Sequence, residues 1–506
     1  MLSPSLGVEL EMVVARRSDG ASYAVEQFFP HLYIRRQARG ESASLELAHN
    51  GQPVGVAGQR GYSSVDNGFN NLESALGPLG TVEQPGGLNT LHGWIRDEVA
   101  DVLATLAQED AVLLNFSQHP AMAIDEQAYQ RIRAPKAIYD YWVRERGWSH
   151  SAGIDAKAQN GPTTGVPLSK AVQALNVILA ASPAFIALFA NSPFENGQIT
   201  AYKENRLTLW PRMFSTARFA ADDRLHRLPT RPFAHLRDYF EWMFGRDSRM
   251  QPVPYGTSSD YKGAPNMARV VGDPALLDYL RQPLWSALHL QHNNATTVYP
   301  SVDHLVFQQF AHFLDARIRY GLHQTPSLES FWAAWQSPEQ FEALLEAHLA
   351  YCYIEGRAPG ANFPDRDIME GGDVLGASVV IAPSALQCGL LRNLEQASRW
   401  VARWPWAIWP ALRAAAMQEG LQGKVGSLTV RALCQDVLEL AGAGLDSTET
   451  WMLAYPEQVL RQGCNGADRA LATYASLQGS PNARMQALIQ ARQALAVPCP
   501  PIFSSP

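Results

Sequence analysis

Residues 7–12 read Gly-Val-Glu-Leu-Glu-Met and place two carboxylates at i and i+2. In an extended segment successive side chains alternate between faces, so Glu9 and Glu11 share one face while Val8, Leu10 and Met12 share the other. The two acids then stand roughly 6.5 to 7 Å apart along the strand and repel each other unless something positive lies between them. Hard divalent cations such as Mg2+ take oxygen ligands of this kind. The plain alternative is a pair of glutamates on the solvent face of a half-exposed strand. Only acidic companions elsewhere in the chain decide against it.

Such companions are present. Phe69-Asn70-Asn71-Leu72-Glu73 reads as a strand that presents Glu73 toward the first pair. In residues 350–358, Tyr351, Tyr353, Glu355 and Arg357 fall on one face of an extended run, with an acid and a guanidinium two apart. Pro359 removes a backbone donor and should end that strand. Glu9, Glu11, Glu73 and Glu355 could therefore collect around divalent cations, and the cations could hold a triphosphate. Neither a Gly-x-x-x-x-Gly-Lys-Ser/Thr loop nor a Gly-x-Gly-x-x-Gly fingerprint is present, so any nucleotide has to be held in some such way.

The elements that would position these residues can be read in outline. Leu45–Ala48 and Val54–Val56 flank His49-Asn50-Gly51-Gln52, a short hairpin signal that calls for antiparallel β-structure. From Asn89 to Asp110 the apolar spacing becomes helical, with Asn89 as the expected N-cap. Ala111–Phe116 reads as a strand, Asp125–Arg146 as helix interrupted near Pro135, and Ala152–Gln159 as a strand with Asp155, Lys157 and Gln159 on one face. The apolar run Ala171–Ala190 is nearly long enough to span a bilayer, but its polar interruptions favour a buried core helix broken at Pro183. The turn-rich loop Ala190–Gly197 follows, and then Tyr202–Trp210, which brings Lys203, Asn205 and Arg206 close together. Residues 211–322 suggest mixed helices and long loops. From Pro383 onward the pattern is helical, over 386–404, 407–418, 428–441 and 456–477.

Composition narrows the functions available. The chain has 506 residues and a formal net charge of −7, from 41 Lys plus Arg against 48 Asp plus Glu. No basic run could track a phosphate backbone, so nucleic acid is not an expected partner. Cys352, Cys388, Cys434, Cys464 and Cys499 are odd in number and scattered, which signals neither a disulfide framework nor a zinc site. The first residues lack a signal-peptide pattern, and a reducing, cytoplasmic setting away from membranes is expected.

Taken in order, Gly7-Val8-Glu9-Leu10-Glu11, Glu73-Ser74, Ala190-Asn191-Ser192-Pro193-Phe194 through Gly197, Arg206 with Trp210 four residues on, and Tyr353-Ile354-Glu355-Gly356-Arg357 resemble a glutamate-cysteine ligase of the plant and proteobacterial type, within the carboxylate-amine ligases related to glutamine synthetase. Gly389-Leu390-Leu391 and the helix 432–443 extend the likeness into the tail. The resemblance implies an α+β fold: a curved, mainly antiparallel β-sheet lined with carboxylates and backed by helices, as in the glutamine synthetase-like catalytic fold. It implies a catalytic domain over 1–383 and a helical region over 384–506 packed on it. The reaction implied needs ATP and Mg2+: ATP phosphorylates the side-chain carboxylate of glutamate, and an amine, cysteine's in the family, displaces the phosphate to give an amide.

In that scheme Glu9, Glu11, Glu73 and Glu355 hold Mg2+, with Glu355 and Arg357 as the catalytic pair and Arg357 steadying charge on the transferring phosphoryl group. Arg357, Lys203 and Asn205 are the expected nucleotide contacts. Arg206 clamps a substrate carboxylate, Trp210 forms a pocket wall, and Lys157 and Gln159 contact substrate. The sequence also departs from the family. Lys157 stands where a metal-facing Gln or His is usual, and a protonated lysine cannot be a ligand. Glu204 replaces a Ser before the clamping arginine, Ala358-Pro359-Gly360 replaces Gly-Ala-Asp, and Glu346-Ala347-His348-Leu349 lies where Pro-Glu-Val-Arg is expected. A ligase-like protein that binds without turnover is the alternative that these departures motivate.

Overall fold

Leu6–Arg16 forms strand β1 of a computed structural model that describes residues 5–48, 50–80, 87–152, 157–254 and 266–500. Leu10 and Met12 are fully buried on one face of the strand while Glu9 and Glu11 lie on the other. β2 (Ala43–Leu47) and β3 (Pro53–Gly58) make the expected hairpin, with Leu45 opposite Val56. β4 (Gly61–Val65) leads into β5 (Asn71–Leu79), which pairs antiparallel with β1 and sets Glu73 directly opposite Glu11. β6 (Ala111–Leu113) pairs with the far end of β1. β7 (Asn160–Gly165) lies on the other side of β1, and β8 (Ala316–Leu322) and β9 (Leu349–Gly356) complete the sheet. The nine strands run in the order β8-β9-β7-β1-β5-β4-β3-β2, with β6 off that path, and all the pairings are antiparallel.

Helices cover one face of this sheet. They are α1 (Phe28–Ala38), α2 (Leu88–Leu106), α4 (Leu168–Phe189) and α5 (Asp373–Arg392), of which α2 packs on β5 and β6, α4 on β8 and β9, and α5 on β7, whereas α3 (Ala137–Arg144) lies over the other face. Polar side chains pin the layers where backbone alone could not. Glu98 of α2 accepts hydrogen bonds from Ser63 of β4, Ser74 of β5 and Arg36 of α1, each at 2.7 Å. Gln387 of α5 donates to the carbonyls of Pro162 and Ile354, which belong to neighbouring strands. The opposite face of the sheet, with Glu9, Glu11 and Glu73, is left for other use.

Several expectations need correction. The cap of α2 is Gly87, with Asn89 inside the first turn. Among the described residues of the expected strand Ala152–Gln159, Ala152 ends a short 3-10 turn, Lys157 and Gln159 make only single bridges to Gln118 and Gly360, and regular pairing starts at Asn160. Asp155 lies outside the described residues. α4 is not broken at Pro183. Proline cannot donate to the carbonyl of residue i−4, here Leu179, and Ser182 Oγ supplies the missing donor at 2.8 Å.

Residues 211–322 are more ordered than expected. They contain a small four-stranded sheet and, at their end, β8, a strand of the main sheet. α4 and α5 are both long and apolar enough to cross a membrane, yet 83% of the most apolar window of each is buried inside the fold, as for core helices. α5 runs through the 383/384 boundary, and the later helices, from Leu394–Val401 to Pro481–Ala491, follow it.

Candidate active site

The free face of the sheet forms one side of a cavity of about 70 Å3. Glu9 and Glu11 reach it from β1, Glu73 from β5 and Asp66 from the loop between β4 and β5. Carboxylates directly opposite each other on paired strands repel, so the Glu11–Glu73 register favours a cation nearby or a proton on one of the two. Glu11, Asp66 and Glu73 each offer a carboxylate oxygen within 4.8 Å of the others. The backbone N–H of Glu11 donates to the Gln159 carbonyl at 2.8 Å, which fastens the middle of β1 to the segment that carries Lys157.

Lys157 enters this acidic group. Its Nζ donates to Asp66 Oδ2 at 2.9 Å and lies 3.4 Å from Glu11 Oε1. The ammonium also sits over the Trp210 ring, 5.4 Å from its centroid, and is 4% exposed as a residue. Burial alone would lower its pKa, but Asp66 and Glu11 outweigh that and hold it above the ordinary lysine value. Glu11 is pushed the other way. Its burial raises its pKa to about 7 despite the attraction of Lys157, and its Oε2 is buried without a hydrogen-bond partner.

Two strands away the charge reverses. Glu355 of β9 is buried and lies 2.8 Å from Arg317, 3.7 Å from Arg319 and 2.9 Å from Arg357. Burial opposes ionisation of Glu355, but the three guanidiniums prevail and hold its carboxyl far below the usual carboxylate range. Arg317 and Arg357 both line the cavity. Opposite the sheet the walls are aromatic: Tyr139 and Trp142 of α3, Trp148, Trp210, Phe310 and Phe313. Trp210 stacks on Phe313 with centroids 4.5 Å apart, and Trp142 stacks on Trp148 at 5.1 Å. His150, also in the wall, shares a 2.6 Å hydrogen bond with the Tyr129 hydroxyl, and burial pushes its pKa down to about 3, so it stays neutral.

The structure thus gathers Glu9, Glu11, Glu73, Lys157, Trp210 and Arg357 at one cavity. It does not turn the remaining expected residues into it. Glu355 faces its three arginines. Arg206 is closed on Glu204 at 2.8 Å and on the Ala358 carbonyl at 2.9 Å, and its backbone N–H donates to Ser192 Oγ. The Glu204 that replaces the usual Ser is what takes up this arginine. Lys203 pairs with Asp468 at 2.7 Å, and Asn205 donates to Gln118 at 3.1 Å. Gln159 is buried with no hydrogen bond to its side-chain amide. The sequence reading missed Asp66, which stands in a turn, and Arg317 and Arg319, whose alternation with Ile318 and Tyr320 is a strand pattern inside a stretch taken as irregular.

Residues 6–228 match the model of glutamate-cysteine ligase family 2 (GCS2). The match takes in Glu9, Glu11, Asp66, Glu73, Lys157 and Trp210 and stops short of β8 and β9. The resemblance read from the sequence is borne out over that stretch. No curated protein matches the chain. Among solved structures, the glutamate-cysteine ligase of Francisella tularensis in complex with AMP is similar at 12% identity and a TM-score of 0.48, over 97% of this chain and 88% of that one.

Proposed function

We propose that this chain is an ATP-dependent carboxylate-amine ligase that forms a γ-glutamyl amide, on a glutamine synthetase-like catalytic sheet. The observation that carries the reading is the pairing of an acidic pole, Glu9, Glu11, Asp66 and Glu73, with a basic pole, Arg317 and Arg357, on one sheet face inside one cavity. The family match over residues 6–228 supports it.

In the first step an oxygen of the glutamate side-chain carboxylate attacks the γ-phosphorus of ATP and ADP leaves. In the second the amine nitrogen attacks the acyl carbon, inorganic phosphate leaves, and the nitrogen gives up one proton. Arg357 and Arg317 stand where they can meet the charge of the phosphoryl group, and Glu355 holds both in place. Carboxylates are the ligand type that suits Mg2+, and Glu9, Glu11 and Glu73 would hold it. Bound there, the ion would neutralise phosphate charge. The aromatic wall excludes water that would hydrolyse the acyl phosphate. None of these roles needs a cysteine, and Cys352, Cys388 and Cys434 are buried.

Incubating the purified chain with ATP, Mg2+, glutamate and a pooled amine library, cysteine included, and reading products by mass spectrometry tests this. ADP with a γ-glutamyl amide is expected. Absence of nucleotide turnover across the pool would overturn it in favour of a ligase-like protein that binds without turnover, a reading for which the closure of Arg206 on Glu204 speaks.

A further inference from the structure

The three carboxylates of Glu11, Asp66 and Glu73 lie close enough to share one divalent ion. Yet a cation is already among them. Lys157 Nζ is within 3.4 Å of Glu11, donates to Asp66 at 2.9 Å and lies 5.4 Å from the centroid of the Trp210 ring. The lysine is held in this position by its backbone as well as by its charge. Its neighbour Ala158 donates to the Ser117 carbonyl at 2.7 Å and accepts from the Ala361 N–H at 3.1 Å, and Lys157 itself bridges to Gln118. A divalent ion bound by all three carboxylates would stand close to the ammonium that already contacts two of them, and the two positive charges would repel.

We propose that Lys157 is a built-in substitute for a divalent cation: its ammonium occupies the position between Glu11 and Asp66, so the chain binds one metal ion fewer than its acidic residues could support. The residues do not fit an ion at that position as they stand. They would fit one if the ammonium were removed, because the three carboxylates converge there, Glu11 Oε2 already lacks a partner and the competing positive charge would be gone. A fixed ammonium needs no loading, so part of the acidic charge on this side of the cavity is offset at any Mg2+ concentration. The functional consequence rests on the ligase reading. The ion count does not.

Counting bound Mn2+ on the full chain, by electron paramagnetic resonance of the free ion during titration, tests the substitution without any turnover. Lys157→Gln should bind one more Mn2+ than the parent, Lys157→Arg should not, and Asp66→Asn added to Lys157→Gln should remove the extra ion. Asp66→Asn in the parent should leave the count unchanged, and this arm decides the matter if Lys157→Gln does not fold. Equal counts in the parent and Lys157→Gln, or a loss of one ion on Asp66→Asn alone, would overturn the proposal. Lack of product in the ligation assay, with the Mn2+ counts as expected, would sink the ligase reading and leave the substitution standing.

Discussion

Glu355 and Lys157 occupy opposite situations on one sheet face: a buried carboxylate surrounded by three guanidiniums, and a buried ammonium set among carboxylates. Each central group leaves its surroundings with an excess of charge, positive around β8 and β9 and negative around β1 and β5. The two clusters differ in how they can relax. Arginine does not release its proton in proteins, so the basic pole cannot shed charge by titration, and Glu355 is the one carboxylate its three guanidiniums share. The acidic pole can shed charge by protonation, since Glu11 already has its pKa raised to about 7 by burial, or by taking up a metal ion. A basic pole that cannot adapt suits permanent contact with phosphate. An acidic pole that can adapt suits cations that come and go.

Removing each central group in turn exposes this difference. Glu355→Ala takes the shared carboxylate from the buried Arg317 and the half-buried Arg319 and Arg357 and should cost the most, about 3 to 5 kcal/mol in urea denaturation, with ligation lost. Added Mg2+ should recover none of it. Lys157→Met should cost less, about 1 to 3 kcal/mol without metal, because Glu11 can take up a proton, and Mg2+ or Mn2+ should restore most of the loss in the same assay. If the two losses are equal and equally deaf to metal, the contrast between the poles is wrong.

Glu11 sharpens the comparison through pH. Its pKa is raised in the folded chain, from 4.5 to about 7, so in that interval the folded state binds more protons than the unfolded one and stability falls as pH rises. Glu11→Gln should therefore unfold later than the parent at pH 8, by about 1 to 2 kcal/mol, with the gap closing toward pH 5. This is a group whose ionised form strains the fold in which it is placed. A constant gap across that range would show that Glu11 is not the titrating group. The smallest effect is expected at Trp210→Phe, which weakens the contact with the Lys157 ammonium and should shift stability by about 0.5 to 1 kcal/mol without opening a new Mn2+ site.

The acidic pole was legible in the sequence because strand periodicity alone puts Glu9 and Glu11 on one face and because Asn71-Leu72-Glu73 continues the same alternation. Asp66 was not, since a turn has no periodicity and only the pairing of β4 with β5 brings it beside Glu11. The helices behind the sheet were readable from apolar spacing, but Pro183 misled: local rules break a helix there, and Ser182 supplies the donor that keeps it whole. Arg317 and Arg319 did carry a signal, an alternation with Ile318 and Tyr320, hidden by the aromatic and proline-rich text around it. Arg206 is the opposite case. Its residue type suited a carboxylate clamp, but the acid that claims it, Glu204, is two positions away in the sequence and folds back onto it.

The claim that unites both poles is that this sheet activates a carboxylate by phosphorylation. The most direct measurement supplies glutamate labelled with 18O in its side-chain carboxylate, together with ATP, Mg2+ and an accepted amine, and follows the label. One 18O atom in each inorganic phosphate released, with ADP as the nucleotide product, is the expected result. Unlabelled phosphate, or release of AMP and pyrophosphate, would contradict it.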